Sequence, residues 1–129
     1  MMKKPACPII AIEEHYWDPE LVKHYKGSEG SRGGGTEERL YDIGSRRLSE
    51  MDEVGIDVQV LSHGAPATQK LPADIAVDLT RAVNDRLAKV CAANPKRFAG
   101  FAALPTAVPE AAADELERCV TLHGFKGAM

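Results

Sequence analysis

The apolar residues of this chain switch repeatedly between a strand-like and a helix-like spacing, and this alternation restricts the fold more than any other feature. Short apolar runs predict strands at Ile9–Glu13, Val58–Leu61 and Phe98–Leu104, and a fourth run begins at Phe125 and continues to Met129. The intervening segments have helical periodicity. Because strands joined by helices form right-handed crossovers in a parallel sheet, the sequence predicts an α/β fold.

Three amphipathic helices are predicted between these strands, over 42–55, 72–95 and 109–124. Each has a stop signal, because Gly55 and Gly124 suit left-handed C-terminal caps and Asn94-Pro95 ends the second helix. Their inner faces are predicted from apolar spacing as Leu48, Met51 and Val54, then Ile75, Leu79, Val83, Leu87 and Val90, and finally Ala112, Leu116, Cys119 and Val120.

Two architectures agree with this pattern: a small doubly wound parallel sheet, and the N-terminal portion of a (β/α)8 TIM-type barrel with about three and a half βα units. The chain ends within its fourth predicted strand, which favours the barrel, and no glycine-rich phosphate loop joins a strand to a helix. We therefore expect residues 1–129 to form one incomplete barrel domain. The polar, glycine-rich stretch at about 16–41 is predicted to be a long mobile loop.

Two metal-ligating side chains follow the first predicted strand. The run Ile9–Ile12 is apolar and is followed by Glu13, Glu14 and His15. Side chains two residues apart in a strand share a face, so Glu13 and His15 are expected to project together. Carboxylate oxygen and neutral imidazole are common ligands of zinc and manganese, so this pair is a candidate metal site. Without further support, a pair of surface loop residues is the simpler explanation.

The composition describes an ordinary globular chain, with 129 residues, a formal net charge of -3 and 44% hydrophobic residues. No basic patch suggests nucleic acid or an anionic membrane as a partner, and no apolar run is long enough for a membrane helix. We expect a cytoplasmic protein. Cys7, Cys91 and Cys119 are odd in number and far apart, which predicts reduced thiols that mostly serve packing.

Four segments of the chain, in order, resemble the amidohydrolase-related metal-dependent family, in the branch of the aminocarboxymuconate semialdehyde and γ-resorcylate decarboxylases. Together they extend across most of the sequence. They are Ile10-Ala11-Ile12-Glu13-Glu14-His15, Met51-Asp52-Glu53-Val54-Gly55-Ile56-Asp57, Leu61-Ser62-His63-Gly64-Ala65-Pro66 and Arg97-Phe98-Ala99-Gly100-Phe101-Ala102-Ala103-Leu104-Pro105.

The resemblance implies a barrel that holds one divalent metal, zinc or manganese, with Glu13 and His15 as first-strand ligands. It further implies decarboxylation of a small aromatic or unsaturated carboxylic acid, with a carboxyl group of the last strand protonating the carbon that loses carbon dioxide. The complete enzyme is then expected to be a homo-oligomer. Hydrolysis by metal-bound water is the alternative chemistry within the same family.

The family's later metal-binding histidine, distal catalytic histidine and last-strand aspartate have no counterpart in these residues. A catalytic metal normally needs three protein ligands, so we expect no catalytic residue within this chain and no activity from it alone. The prediction is therefore a fragment of a metal-dependent decarboxylase or hydrolase. An alternative from another class is a non-catalytic α/β module that associates through its exposed fourth strand.

Three more residues are candidates for substrate contact. His63 directly follows the second strand, where βα loops of a barrel carry function, although a loop histidine bonded to a backbone carbonyl explains it equally well. Tyr16 and Trp17 are candidates to stack on a planar substrate, with packing under the long loop as the alternative. We assign no role to His24 or His123. The acidic face of the third predicted helix is expected to be solvated surface and consists of Glu110, Asp114, Glu115 and Glu117.

Overall fold

The computed structural model of the chain describes residues 4–129 and contains a three-stranded parallel sheet in the order β1-β2-β3. The predicted α/β architecture with a parallel sheet is thus confirmed. In chain order the elements are β1 (Ile10–Tyr16), α1 (Pro19–Val22), α2 (Thr36–Tyr41), α3 (Ser45–Val54), β2 (Val58–His63), α4 (Ala73–Ala93), β3 (Phe98–Gly100) and α5 (Pro109–His123).

Strand β1 lies at one edge of the described sheet and extends to Tyr16, beyond its predicted end at Glu13. An apolar run such as Ile9–Ile12 is typical of a buried strand, but the edge position of β1 leaves Ile10 59% and Ile12 61% exposed. The ladder with β2 is interrupted by a bulge between Ala11 and Glu14. A bulge breaks the alternation of side chains, so spacing alone does not put Glu13 and His15 on one face.

The segment 16–41, predicted as a long loop, also contains the two short helices α1 and α2. Asp18 caps α1, because its carboxylate accepts hydrogen bonds from the backbone N–H groups of Glu20 and Leu21 at 3.0 and 3.1 Å. The Trp17 N–H donates to the carbonyl of Leu40 at 2.8 Å and joins the two ends of the segment. Side-chain caps of this kind make short ordered elements possible where apolar periodicity is absent.

Helices α3 and α4 lie where they are predicted, and their ends follow from capping residues. The predicted inner face of α3 is wrong at Val54, which is 68% exposed in the last turn of the helix. Gly55 caps α3 in the left-handed conformation with a φ of 79°. Pro72 directly precedes α4, and Asn94 is its C-cap. The side chains of Met51 in α3 and Leu87 in α4 are each 1% exposed and pack in the core against the sheet.

Helix α5 also has the predicted bounds, but its buried face differs from the prediction. Cys119 is fully buried, as expected, whereas Val120 is 44% exposed. Glu115, predicted to be solvated, is 3% exposed. Its carboxylate accepts hydrogen bonds from Asn84 and Arg118, and these polar partners make burial of the charge possible.

Strand β3 is shorter than predicted and ends at Gly100. The residues after α5 then pair with the chain that follows β3. Lys126 N–H donates to the Gly100 carbonyl at 2.9 Å, Ala102 N–H donates to the Gly127 carbonyl at 2.8 Å, and a parallel bridge joins Ala102 to Ala128. The predicted fourth strand is therefore present as a short parallel pairing.

The described core has two parts. The larger part lies between the sheet and the helices α3, α4 and α5. The smaller part is formed under α1 and α4. The buried members of the larger part are Tyr16, Met51, Leu61, Leu87, Phe98, Ala102, Cys119 and Phe125, and those of the smaller part are Leu21, Leu71, Ala76 and Val83.

Candidate functional site

His15 lies near the C-terminal end of β1, directly opposite Ser62 of β2 in the strand register. Its Nδ1 is 3.0 Å from the Ser62 hydroxyl oxygen, and its backbone carbonyl accepts a hydrogen bond of 2.8 Å from Arg47 Nη2. Within residues 4–129 its Nε2 makes no hydrogen bond, so this nitrogen is available to a ligand. A metal-binding histidine typically has its other ring nitrogen oriented by such a hydrogen bond.

Glu13 belongs to the bulge of β1 and has a φ of +62°, which is uncommon for a residue other than glycine. Its side chain is exposed and makes no hydrogen bond or ion pair with the described residues. Bulges next to active sites often redirect a side chain. The donor chemistry of Glu13 and His15, a free carboxylate and a free imidazole nitrogen, therefore fits a divalent metal.

A complete metal-binding set is not assembled by this part of the chain. Among residues 4–129, no group of three or more His, Cys, Asp and Glu side chains is arranged to hold a metal ion. Glu14, the remaining carboxylate of the E-E-H sequence, instead accepts a hydrogen bond of 3.2 Å from Gln59 Nε2. These residues therefore supply two candidate metal ligands, Glu13 and His15, both near the end of β1.

The three side chains predicted to contact substrate are all buried. Tyr16 and Trp17 are each 2% exposed, and His63 is 8% exposed. Burial raises the pKa of the Tyr16 hydroxyl, so it stays protonated at neutral pH. The edge of the His63 ring packs against Tyr16, with a centroid distance of 5.1 Å. Their contact with a substrate stays a prediction.

Both ring nitrogens of His63 are used within the protein. Nε2 accepts a hydrogen bond of 2.8 Å from the backbone N–H of Asp18, and Nδ1 lies 2.9 Å from the Gly64 carbonyl. The second contact agrees with the alternative of a loop histidine bonded to a backbone carbonyl. Burial lowers the pKa of His63, which the neighbouring carbonyl and the charge of Asp18 only partly oppose, so the ring is neutral at pH 7.

Trp17 is enclosed by aromatic and cationic side chains of the segment 16–41. Tyr25 and Tyr41 pack edge-on against its ring at centroid distances of 6.1 and 5.7 Å, and the guanidinium of Arg32 lies 5.3 Å from the ring centroid. Arg32 belongs to the glycine-rich stretch, so this contact holds the stretch against the rest of the protein. The arrangement agrees with the alternative that Trp17 packs beneath the long loop.

The sequence did not predict the ion pair between Asp18 and Arg86, which lies next to the candidate site. Arg86 of α4 binds the Asp18 carboxylate with two hydrogen bonds, Nε to Oδ2 at 2.6 Å and Nη2 to Oδ1 at 2.8 Å. Asp18 is 4% exposed. Asp followed by Pro is a helix-start signal that could have identified the cap of α1. No local signal identifies Arg86, because its partner is 68 residues away.

A cavity of about 370 Å³ lies between β1, α2 and α3 and includes His15 among its lining residues. Arg47 crosses its wall and donates to the carbonyls of His15, Arg39 and Asp42 and to the side chain of Gln59. Burial lowers the pKa of Arg47, although nearby carboxylates oppose this, and the guanidinium stays charged. Arg47 thus ties the end of β1 to α2 and β2.

All three cysteines are free, and burial raises the pKa of Cys91 to about 11 and, with Glu115 nearby, that of Cys119 to about 12, so both are thiols. Cys7 is exposed and has no packing role. Across residues 4–129 none of the helices combines the length and apolar character needed to cross a membrane.

Comparison with known proteins identifies relatives along nearly the whole chain. The γ-resorcylate decarboxylase of Rhodococcus jostii (strain RHA1) is 48% identical over 122 residues, which cover 93% of this chain and 37% of that protein. This protein and three further γ-resorcylate decarboxylases, 43% to 44% identical, are each matched over about 37% of their length.

Similar solved structures are also matched over most of this chain and over less than half of their own length. A 2,6-dihydroxybenzoate decarboxylase complexed with 2,6-dihydroxybenzoate has a TM-score of 0.84 and 43% identity, over 94% of this chain and 38% of that chain. The dihydroxybenzoic acid decarboxylase of Polaromonas sp. JS666, solved with manganese and the inhibitor 2-nitroresorcinol, has a TM-score of 0.83 and 44% identity, over 94% and 37% of the two chains.

These similarities decide between the two architectures left open by the sequence. The relatives are TIM-barrel decarboxylases, so the fold is the N-terminal portion of a (β/α)8 barrel and not a small doubly wound sheet. The family model described as amidohydrolase matches residues 10–128. The chain therefore belongs to the amidohydrolase family.

Proposed function

We propose that this chain is part of a metal-dependent decarboxylase that acts on small hydroxylated aromatic carboxylic acids. The observation that carries the proposal is that, among residues 4–129, His15 Nε2 and the Glu13 carboxylate near the end of β1 both make no hydrogen bond, in a chain 43% identical to a 2,6-dihydroxybenzoate decarboxylase. We propose these two side chains as metal ligands. Further ligands and the proton donor come from residues other than those in this chain.

The contacts of His15 explain how this chain prepares the site. Ser62 holds Nδ1, and Arg47 holds the backbone carbonyl, so the ring and the main chain of His15 are both oriented before a metal binds. Glu13 contributes negative charge. A divalent ion held by the pair would supply positive charge that orients the substrate carboxylate and stabilises the electrons left on the ring carbon when carbon dioxide departs.

Decarboxylation is preferred to hydrolysis because the curated and solved relatives at 40% identity or more are decarboxylases. Manganese is the preferred metal because it occupies a solved relative, and zinc is the alternative. Tyr16 and Trp17 remain candidates for the wall of the substrate site. A homo-oligomeric state and a cytoplasmic location also belong to this proposal.

The test uses this chain and the longest in-frame extension of it, each purified with and without added Mn²⁺. Metal content and release of carbon dioxide from 2,6-dihydroxybenzoate are measured for the native protein and for Glu13→Ala and His15→Ala. We expect metal binding and activity in the extension, both lost in the two variants.

Matched controls are Glu53→Ala and His24→Ala, which remove an exposed carboxylate and an exposed imidazole elsewhere in the chain. Both should keep the metal content and the rate of the native protein. Native-like activity of His15→Ala in a folded, metal-loaded extension would contradict the proposal, as would a metal-loaded native extension that releases no carbon dioxide from any dihydroxybenzoate.

A further inference from the structure

We propose that His63 is a positioning residue that, together with Asp18 and Arg86, holds the backbone directly after His15 in place. This inference rests on the proposed function for its catalytic consequence, but its structural part can be tested by itself. It assigns His63 a role through the main chain in place of the substrate contact predicted from the sequence.

The hydrogen bonds of the His63 ring fix its tautomer. Because the Asp18 N–H donates to Nε2, this nitrogen must be unprotonated, and the proton of the neutral ring is on Nδ1. Nδ1–H then donates to the Gly64 carbonyl at 2.9 Å. Tyr25 supports the same arrangement, since its hydroxyl donates to that carbonyl at 3.1 Å. Neither nitrogen is left to bind a substrate.

Asp18 is held by both its carboxylate and its backbone N–H. Its carboxylate accepts two backbone N–H groups of α1 and two hydrogen bonds from Arg86, while its own N–H is held by His63. Asp18 is 4% exposed, so these bonds are shielded from water. A continuous polar path thus connects α4, the end of β1 and the end of β2.

The polar path reaches the backbone next to the candidate metal ligand His15. Gly64 N–H donates to the Tyr16 carbonyl at 2.9 Å, so residues 63 and 64 hold the backbone on both sides of Trp17. Space there is tight, because a Cβ at Gly64 would lie 2.9 Å from Trp17 Nε1 and 3.7 Å from His15 Cβ. Movement of His63 therefore shifts the residue that follows His15.

The structural test compares His63→Leu with His63→Gln in the full 129-residue chain. Trp17 is the single tryptophan, so its fluorescence reports on this segment without interference. For His63→Leu we expect a red shift of the emission and an increase of roughly tenfold or more in the hydrogen-exchange rate of the Asp18 amide. The His63→Gln protein should keep much of the native behaviour, because the amide oxygen of the new side chain can accept the same N–H.

His24→Leu is the matched control, because His24 is exposed and outside the network. It should leave both signals unchanged. Arg86→Gln is the second variant, in case His63→Leu does not fold, and it should speed exchange at Asp18 while His63 is intact. Native emission and native exchange in a folded His63→Leu or Arg86→Gln protein would overturn the proposal.

The catalytic test uses the active extension. Misplacement of His15 should lower kcat of His63→Leu by roughly tenfold or more, with little change in KM and partial rescue in His63→Gln. A raised KM with native kcat would instead indicate substrate contact and overturn the positioning role. If the native extension is inactive, the proposed function fails, whereas the fluorescence and exchange results still decide whether His63 holds Asp18.

Discussion

Gly100 is required where the ring of Phe125 crosses the end of β3. A Cβ at this position would lie 2.8 Å from Phe125 Cε1 and 2.9 Å from Cδ1, and Phe125 is 3% exposed in the core. We expect Gly100→Ala to lower the free energy of unfolding by about 1–3 kcal/mol, because a buried aromatic ring must move. Urea denaturation followed by circular dichroism measures the change.

Gly33→Ala is the matched control, since a Cβ at Gly33 would meet no atom within 4 Å. It should leave the denaturation midpoint nearly unchanged. Equal midpoints for Gly100→Ala and Gly33→Ala would show that Phe125 does not depend on the close approach to β3.

Glu13 illustrates what residue types alone do not reveal. The sequence identifies it as a candidate ligand, but its positive φ and its place in a bulge depend on how β1 pairs with β2. A non-glycine residue in this conformation costs of order 1–3 kcal/mol and persists only where surrounding contacts impose it. Such backbone outliers concentrate at functional sites, in agreement with the proposed role of Glu13.

At the scale of elements, Asn84 joins α4 to the end of β3 and to α5. Its side chain is fully buried and makes hydrogen bonds to the Ala103 carbonyl, the Ala103 N–H and the Glu115 carboxylate, at 2.9, 3.0 and 2.8 Å. Asn84→Ala should lower the free energy of unfolding by about 2–4 kcal/mol, because it leaves these buried groups without a partner. Thermal and urea denaturation measure the loss.

Asp78→Ala in the same helix serves as the comparison, since Asp78 is exposed and its side chain has no hydrogen bond among the described residues. Its effect should stay within about 0.5 kcal/mol. An Asn84→Ala protein as stable as Asp78→Ala would mean that water replaces the amide at no cost.

At the scale of the whole molecule, the ion pairs of Glu115, which is 3% exposed, and of Asp85, whose side chain is 48% exposed, make the stability sensitive to acid. Burial raises the pKa of Glu115 and of Asp85, but hydrogen bonds outweigh it, from Arg118 and Asn84 to Glu115 and from Arg118 and His123 to Asp85. Both pKa values therefore lie below their usual 4.5 and 3.8. The unfolded chain then binds protons first as the pH falls.

Because both pKa values are lower in the folded state, their contribution to the free energy of unfolding changes with pH only in the acidic range. The stabilisation is fully present above the usual carboxylate pKa values and is lost as the pH falls through the lower values of the folded state. We expect the urea midpoint to be level near neutral pH and to fall below about pH 4.5. Arg118→Gln should lower the midpoint at pH 7 and flatten the acid limb, whereas Arg46→Gln, at an exposed ion pair of α3, should keep the native profile. A native acid limb in Arg118→Gln would contradict this account.

Much of the architecture could be predicted from the sequence by itself, because it depends on local signals. Apolar spacing predicts the alternation of strands and helices, and Gly55 and Gly124 mark helix ends through their freedom to adopt positive φ. The E-x-H sequence, together with the resemblance to the amidohydrolase-related family, identifies Glu13 and His15 as candidate ligands. These features require only residues that are near one another in the chain.

Tertiary structure decided the features that depend on residues far apart. The bulge at Glu13, the burial of Glu115, and the path from Arg86 through Asp18 to His63 all arise from contacts between different elements. The sequence by itself determined the alternation of the main strands and helices and which side chains can carry the chemistry. Only the folded arrangement decided which of those side chains satisfy one another and which remain free to bind, since hydrogen bonds in the core depend on distance in space.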